Sequence, residues 1–286
     1  MTWFYFALIA AGAWTLTALA EKKACSGEKA IQVAVASSFV WIFLALLLIP
    51  FVKLPTNAYI IFLMIIAGAI FGGSFYLSSK AFKYLSASEA SPLYNIGTVI
   101  TVILAILFLG EKVTTVQLLG VITIITGTYV LELKKGSFLA PLTKLFKSEK
   151  VHYVIISAFG YSVLAILSKY ILGFVDPVTY LFSQLVISGA FMLALSYLRH
   201  NGFKDVITGL KVHRWSILII SSTMMTAQLF EIFALKTGEA ALVMPVTRLW
   251  TLFAVVLGGA FYKEGHKRNR IIAAAIMLAG VFIIYL

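Results

Sequence analysis

Residues 81–111, "AFKYLSASEASPLYNIGTVITVILAILFLGE", return in outline at 234–264 as "ALKTGEAALVMPVTRLWTLFAVVLGGAFYKE", 153 positions later. No gap is needed. Ala81 falls on Ala234, Lys83 on Lys236, Ala87 on Ala240, Pro92 on Pro245, Thr98 on Thr251, Phe108 on Phe261, Glu111 on Glu264 and, further on, Gly127 on Gly280. Each copy contains an apolar run long enough to cross a hydrocarbon core of about 30 Å as a helix, which takes about 20 residues. The runs are continuously apolar rather than alternating with period two, so they read as helices and not as barrel strands. Internal copies of this length point to a membrane architecture built from repeats.

The rest of the chain has the same character. Hydrophobic residues make up 61% and charged residues 12% of it, and the mean hydropathy is +1.00, far from the roughly 45–50% and 25% of soluble domains. Ten apolar runs fit, near 2–20, 30–52, 58–79, 87–109, 114–133, 151–172, 177–198, 215–236, 240–262 and 269–286. The fold class expected is an all-α integral membrane protein with ten transmembrane helices. Residues 1–133 form a first five-helix repeat, 134–150 a basic linker in which "FLAPLTKLF" suits the membrane surface, and 151–286 a second repeat. Five is odd, so the second copy starts from the opposite side and the repeats are inverted, as in secondary transporters. The first run lacks the charged start and small-residue cleavage site of a signal peptide, and is kept as a helix.

Charge fixes an expected threading. Of the 23 Lys and Arg, 18 lie in the loops after odd-numbered spans, while the loops after even-numbered spans carry only Lys53, Lys112, Lys169 and Lys236. Short positive loops stay in the cytoplasm, so both termini are expected outside, in the plasma (inner) membrane of a prokaryote. The formal net charge of +12 is therefore an orienting charge and not a nucleic-acid footprint. Cys25 is the sole cysteine, which excludes an internal disulfide framework. His152, His200, His213 and His266 lie in or beside loops without metal-ligand spacing. No nucleophile-elbow or phosphate-loop pattern occurs. No enzyme activity, metal or cofactor is expected.

Residues 83–131, with a small-residue run before Pro92, "LFLGE" and a glycine-bearing closing helix, resemble the last two helices of an EamA-type repeat. Residues 234–286 resemble a more worn second copy, with "FYKEG" where "LGE" would stand, and "AGAWTLTALAEKK" at 11–23 resembles the opening helix, Thr15 replacing its usual glycine after tryptophan. The resemblance implies the drug/metabolite transporter superfamily, whose ten-helix members are secondary transporters made of inverted five-helix repeats. It further implies that spans five and ten lie outside the central cavity, and that both termini are cytoplasmic, against the loop charges. The small multidrug resistance relatives usually carry a carboxylate within the first helix. Here Glu21 stands at the end of the first span.

Charged groups inside spans mark the candidate site, since an arginine at mid-helix costs about 2.5–3.5 kcal/mol by insertion scales. Arg248 in the ninth span and Glu231 in the eighth lie well inside, with Gln228 a turn before Glu231. The 153-residue shift lays Asn95 on Arg248 and Tyr94 on Thr247, and such pairs meet near the midplane of inverted repeats. Thr98, Thr101, Thr251, Ser157, Tyr161 and Ser168 extend that surface at helical spacing, and Trp14 and Tyr76 are candidate walls. The other reading of each remains: hydroxyls bond their own helix, and aromatics face lipid or the interface. Lys169 and Lys236 suit snorkelling at helix ends, and "GAIFG" at 68–72 and the other small residues suit helix packing.

Arg248 has two possible companions, Glu231 in a structural ion pair or an acidic group on a substrate. The function expected is secondary transport of a small polar, anionic or zwitterionic metabolite, with Glu231 as the candidate proton carrier. The alternatives are a proton-coupled exporter of cationic drugs or amines, and a non-transporting receptor or assembly partner. A channel lacks carboxylate rings. Expected partners are the small substrate, protons, the bilayer and a second copy joined through spans five and ten.

Overall fold

The computed structural model describes residues 2–25, 30–85, 87–132, 149–262 and 267–285, with the side chains of 86–93, 95, 128, 131–149, 255–256, 258–271 and 285 outside the description. Every regular element among the described residues is a helix: α1 (Thr2–Cys25), α2 (Ala30–Leu46), α3 (Ala58–Tyr84), α4 (Ala87–Leu104), α5 (Thr115–Glu132), α6 (Glu149–Ile171), α7 (Pro177–Arg199), α8 (Phe203–Thr237), α9 (Ala240–Thr247), α10 (Leu249–Tyr262) and α11 (Lys267–Tyr285). Five of them, Thr2–Cys25, Ala58–Tyr84, Lys150–Ile171, Pro177–Arg199 and Phe203–Thr237, are long and apolar enough to cross a membrane. Shorter apolar stretches occur at Ala30–Leu46, Ile96–Leu109, Thr115–Gly127, Ala240–Ala254 and Ile272–Ile284. The whole of "FLAPLTKLF" lies outside the described residues.

Four element boundaries differ from the sequence expectation. The first span continues through Cys25, which brings Glu21 inside. The second ends at Leu46, before a short 3-10 turn at Ile49–Phe51 that contains Pro50, because proline has no N–H to give the preceding turn and its ring crowds the carbonyl four residues back. The eighth begins at Phe203, not 215, and bends at His213, whose φ of −126° and ψ of 29° are not helical. The polar look of "FKDVITGLKVHR" concealed it. Its buried side holds Asp205, Val206 and Gly209, and Asp205 takes hydrogen bonds from Asn201 N, Ser196 Oγ and Gln32 Nε2. The ninth span is two helices, α9 and α10, parted at Arg248.

Small residues set the close crossings. A Cβ on Gly68 would stand 2.6 Å from Ile187, so α3 and α7 touch where the GxxxG pattern predicts packing. On α5 and α11, a Cβ on Gly120 would meet Gly280 O at 2.8 Å and one on Gly280 would meet Gly120 O at 2.7 Å. These faces meet within one chain. A homodimer through the fifth and tenth spans would have only outer residues such as Leu119, Ile122, Leu278 and Phe282 to use.

The helix ends collect on two faces. On one, named after Trp3, Lys53 N meets Thr179 Oγ1 at 2.8 Å, Trp3 abuts Gly238, and Ile284 abuts Gly120 near the start of α5. On the other, named after Lys22, the ends of α1 and α3 meet, Tyr76 meets His200 and Gln32 meets Asp205. The two described chain ends therefore share the Trp3 face.

Candidate substrate cavity

Pro245 lies inside α9, where it removes a backbone donor and crowds the carbonyl of Ala241. The helix stops two residues later. Arg248 takes a turn-like backbone, φ −66° and ψ −7°, and the carbonyls at the break are satisfied locally. Met244 O accepts Arg248 N at 3.1 Å and Thr247 Oγ1 at 2.9 Å, and Arg248 O accepts Thr251 N at 3.0 Å and Thr251 Oγ1 at 2.9 Å. The hydroxyl protons of Thr247 and Thr251, expected to face substrate, are thus committed to the backbone.

The break turns the arginine inward. Arg248 is 6% exposed and lines a partly open cavity together with Trp14, Tyr94, Tyr161, Gln228, Glu231 and Thr247. Of the other expected residues, Thr98 and Thr251 are buried outside this lining, and Thr98 Oγ1 has no partner among the described residues. Tyr76 is displaced to the Lys22 face, where its Oη lies 3.2 Å from His200 Nε2. Asn95 has its side chain outside the described residues. Among the described residues, none of α5 or α11 lines the cavity.

Glu231 does not pair with Arg248. Its Oε2 accepts the Trp14 indole N–H at 2.7 Å, and Arg248 Nε has no hydrogen-bond partner among the described residues. Tyr94 Oη accepts from Ser157 Oγ at 3.2 Å, and its ring lies 6.0 Å from that of Trp250. The sequence reading left out a second acid, Glu21, which lines the cavity at 3% exposure and accepts from Ser79 Oγ at 2.7 Å. A signal was available. A shift of 147 lays Trp14 on Tyr161, Thr15 on Ser162, Glu21 on Ser168 and Lys22 on Lys169.

These correspondences recur as paired contacts. Thr15 Oγ1 donates to Ala11 O at 2.8 Å and Trp250 O at 3.4 Å, while Ser162 Oγ donates to Ala158 O at 2.8 Å and Gly97 O at 2.7 Å. Lys22 Nζ clasps the end of α3 through Phe82 O and Leu85 O, both at 2.8 Å. Lys169 Nζ clasps the end of α8 through Leu235 O at 2.7 Å and Gly238 O at 2.6 Å. Phe82 and Leu235, a pair under the 153 shift, both line the cavity. The "LFLGE" motif has its own task. Gly110, at φ +65°, ends a π-helical turn at Ala105–Leu109, and Glu111 then accepts Ala240 N at 2.7 Å and Ala241 N at 2.8 Å, capping α9 from another part of the chain. Burial, and then the charge of Glu111, push the adjacent Glu239 carboxyl above the usual glutamate range, with Lys169 opposing. At Asp176, burial alone would raise the carboxyl, but hydrogen bonds from Thr179 and Val178 hold it below the ordinary carboxylate range.

The sequence profile of the EamA-like transporter family matches residues 1–133 and again 150–286. The chain belongs to the EamA-like transporter family. It is an integral membrane protein of the drug/metabolite transporter superfamily, a group generally of transporters and not enzymes. A crystal structure is similar to it in fold, with a TM-score of 0.74 over 100% of this chain and 99% of the other at 14% identity. No curated protein matches the sequence. Among the described residues no group of three or more His, Cys, Asp or Glu could hold a metal.

Proposed function

We propose that this EamA-like protein is a secondary transporter of a small anionic or zwitterionic metabolite, working by alternating access across ten transmembrane crossings arranged as two inverted five-helix repeats. The observation that carries the reading is Arg248, buried at a helix break, facing the cavity and lacking an ion-pair partner among the described residues. A buried guanidinium with no carboxylate in contact is costly. A carboxylate or phosphate on a substrate would supply it, with two parallel hydrogen bonds.

Glu21 and Glu231, both in the cavity wall, favour a substrate that also bears a cationic group, and on that ground an amine exporter is the second reading. The paired contacts of Thr15 with Ser162 and of Lys22 with Lys169 support two copies of one unit, and the opposite faces that the two lysines clasp support inversion. Loop charge supports termini outside. Thermal-shift screening of the purified protein against amino acids, phosphorylated sugars, nucleotides and amines, followed by proteoliposome flux of any stabilising compound, tests the reading. Stabilisation without flux would support a receptor instead. Flux of amines alone would replace the anionic class.

A further inference from the structure

Away from the cavity, the Lys22 face carries a basic and aromatic cluster where α3 ends and α6 begins. Lys80 Nζ lies 4.6 Å from the centre of the Tyr76 ring and 5.2 Å from that of Tyr153. Lys150 Nζ and Lys83 Nζ lie 5.4 Å and 5.9 Å from the Tyr84 ring. Tyr84 stacks on Tyr153, with centroids 6.4 Å and planes 23° apart, so the three ammonium groups share one frame. None of the three lysines makes an ion pair with a described residue.

Ring faces hold an ammonium in place but bring no net negative charge. Among the described residues the three lysines, gathered on two stacked tyrosines and a third ring, have no counter-charge in contact, and an anion would offset their mutual repulsion. Phosphate oxygens would serve all three through charge-assisted hydrogen bonds. The setting is that of a lipid headgroup. Tyrosines at helix ends sit at headgroup level, and basic pockets between transmembrane helices on one side of a membrane take up anionic headgroups. Below the cluster His152, Ile156 and Phe159 form an exposed stripe along α6 at i, i+4, i+7 spacing, an outward surface on which acyl chains can lie.

We infer that Lys80, Lys83 and Lys150, framed by Tyr76, Tyr84 and Tyr153, bind the phosphodiester of an anionic phospholipid. The site needs only membrane residence and not the transport reading, so it stands or falls separately. The test titrates delipidated, detergent-purified full-length protein with phosphatidylglycerol, with phosphatidylcholine and with inorganic phosphate, reading thermal stabilisation and bound lipid by native mass spectrometry. Phosphatidylglycerol should bind and stabilise, with each Lys→Gln change at 80, 83 or 150 weakening it about fivefold. A K80R/K83R/K150R variant should retain binding, and K204Q/K211Q, which removes exposed lysines elsewhere on this face, should leave it unchanged. Equal stabilisation by phosphatidylcholine, or equal loss in K204Q/K211Q, would overturn the site in favour of non-specific solvation or diffuse charge. Inorganic phosphate acting as strongly as phosphatidylglycerol would overturn the lipid assignment.

Discussion

Arg248 faces the cavity because Pro245, three residues earlier, ends α9 and lets the next residues turn. Its chemistry is then decided by what does not reach it, since Glu231 is engaged with Trp14. Arg248→Lys should keep the fold and raise the apparent KM for substrate by roughly tenfold or more, because a point charge replaces a planar fork whose charged hydrogen bonds contribute about 1.5–3 kcal/mol each. Flux kinetics in proteoliposomes would show it. The structural-pair alternative gives a different result: Arg248→Leu with Glu231→Leu would transport normally, as apolar replacement of a buried pair often preserves stability. Full flux in that double variant would falsify the substrate role. Glu21, like Glu231, lines the cavity and accepts a side-chain hydrogen bond, here from Ser79, and it stands seven residues, about 10 Å, along α1 from Trp14. Glu21→Gln should therefore lower the affinity for a zwitterion or amine while leaving a purely anionic substrate unaffected. Competition between a substrate and its deaminated analogue, compared in parent and variant, reads this directly.

At the scale of elements, Lys22 and Lys169 each fasten a helix end that carries a cavity-lining residue, Phe82 on α3 and Leu235 on α8. On the alternating-access reading proposed above, opening the cavity to one face would loosen one clasp. Losing charge-assisted bonds of about 1.5–3 kcal/mol shifts a two-state equilibrium by roughly tenfold to a hundredfold. Lys169→Met should accordingly raise the labelling of a cysteine at Ser168 by an impermeant maleimide, and Lys22→Met that of a cysteine at Ser78. If both variants merely melt earlier with labelling unchanged, the clasps are packing devices and not gates. The start of α9 gives a pH prediction. Burial and Glu111 favour the protonated form of Glu239 in the fold, so its contribution to stability is complete below the ordinary value of 4.5 and is lost as pH rises through its raised folded value. Glu239→Gln should melt higher than the parent at neutral pH, with the gap closing in acid. A gap that widens in acid would contradict the assignment.

For the whole molecule, the apolar runs were enough to read helices and a membrane protein, since hydropathy is a local property of the chain. What escaped was whatever depended on contacts between distant segments. Glu21 looked like the start of a charged loop, but Lys22 finds its partners on α3 and α1 continues past both. Residues 203–212 looked like a loop because their buried side, seated on α2 through Asp205 and Gly209, is narrow. Tyr76 has the residue type of a cavity wall, yet its helix turns it toward His200. Orientation in the bilayer rests on a global property, the charge of the two faces. Lys53, Lys112, Lys169 and Lys236 belong to the Trp3 face, and two of these already serve backbone carbonyls, Lys169 at the end of α8 and Lys236 at Leu172. With the positive face held in the cytoplasm, a cysteine at Thr56, in a background where Cys25 is alanine, should label with an impermeant maleimide added outside intact cells, and one at Ser137 should be protected. The reverse pattern would place the Trp3 face, with both described chain ends, in the cytoplasm, and would leave 18 basic residues on the outer side to be explained by something other than membrane insertion.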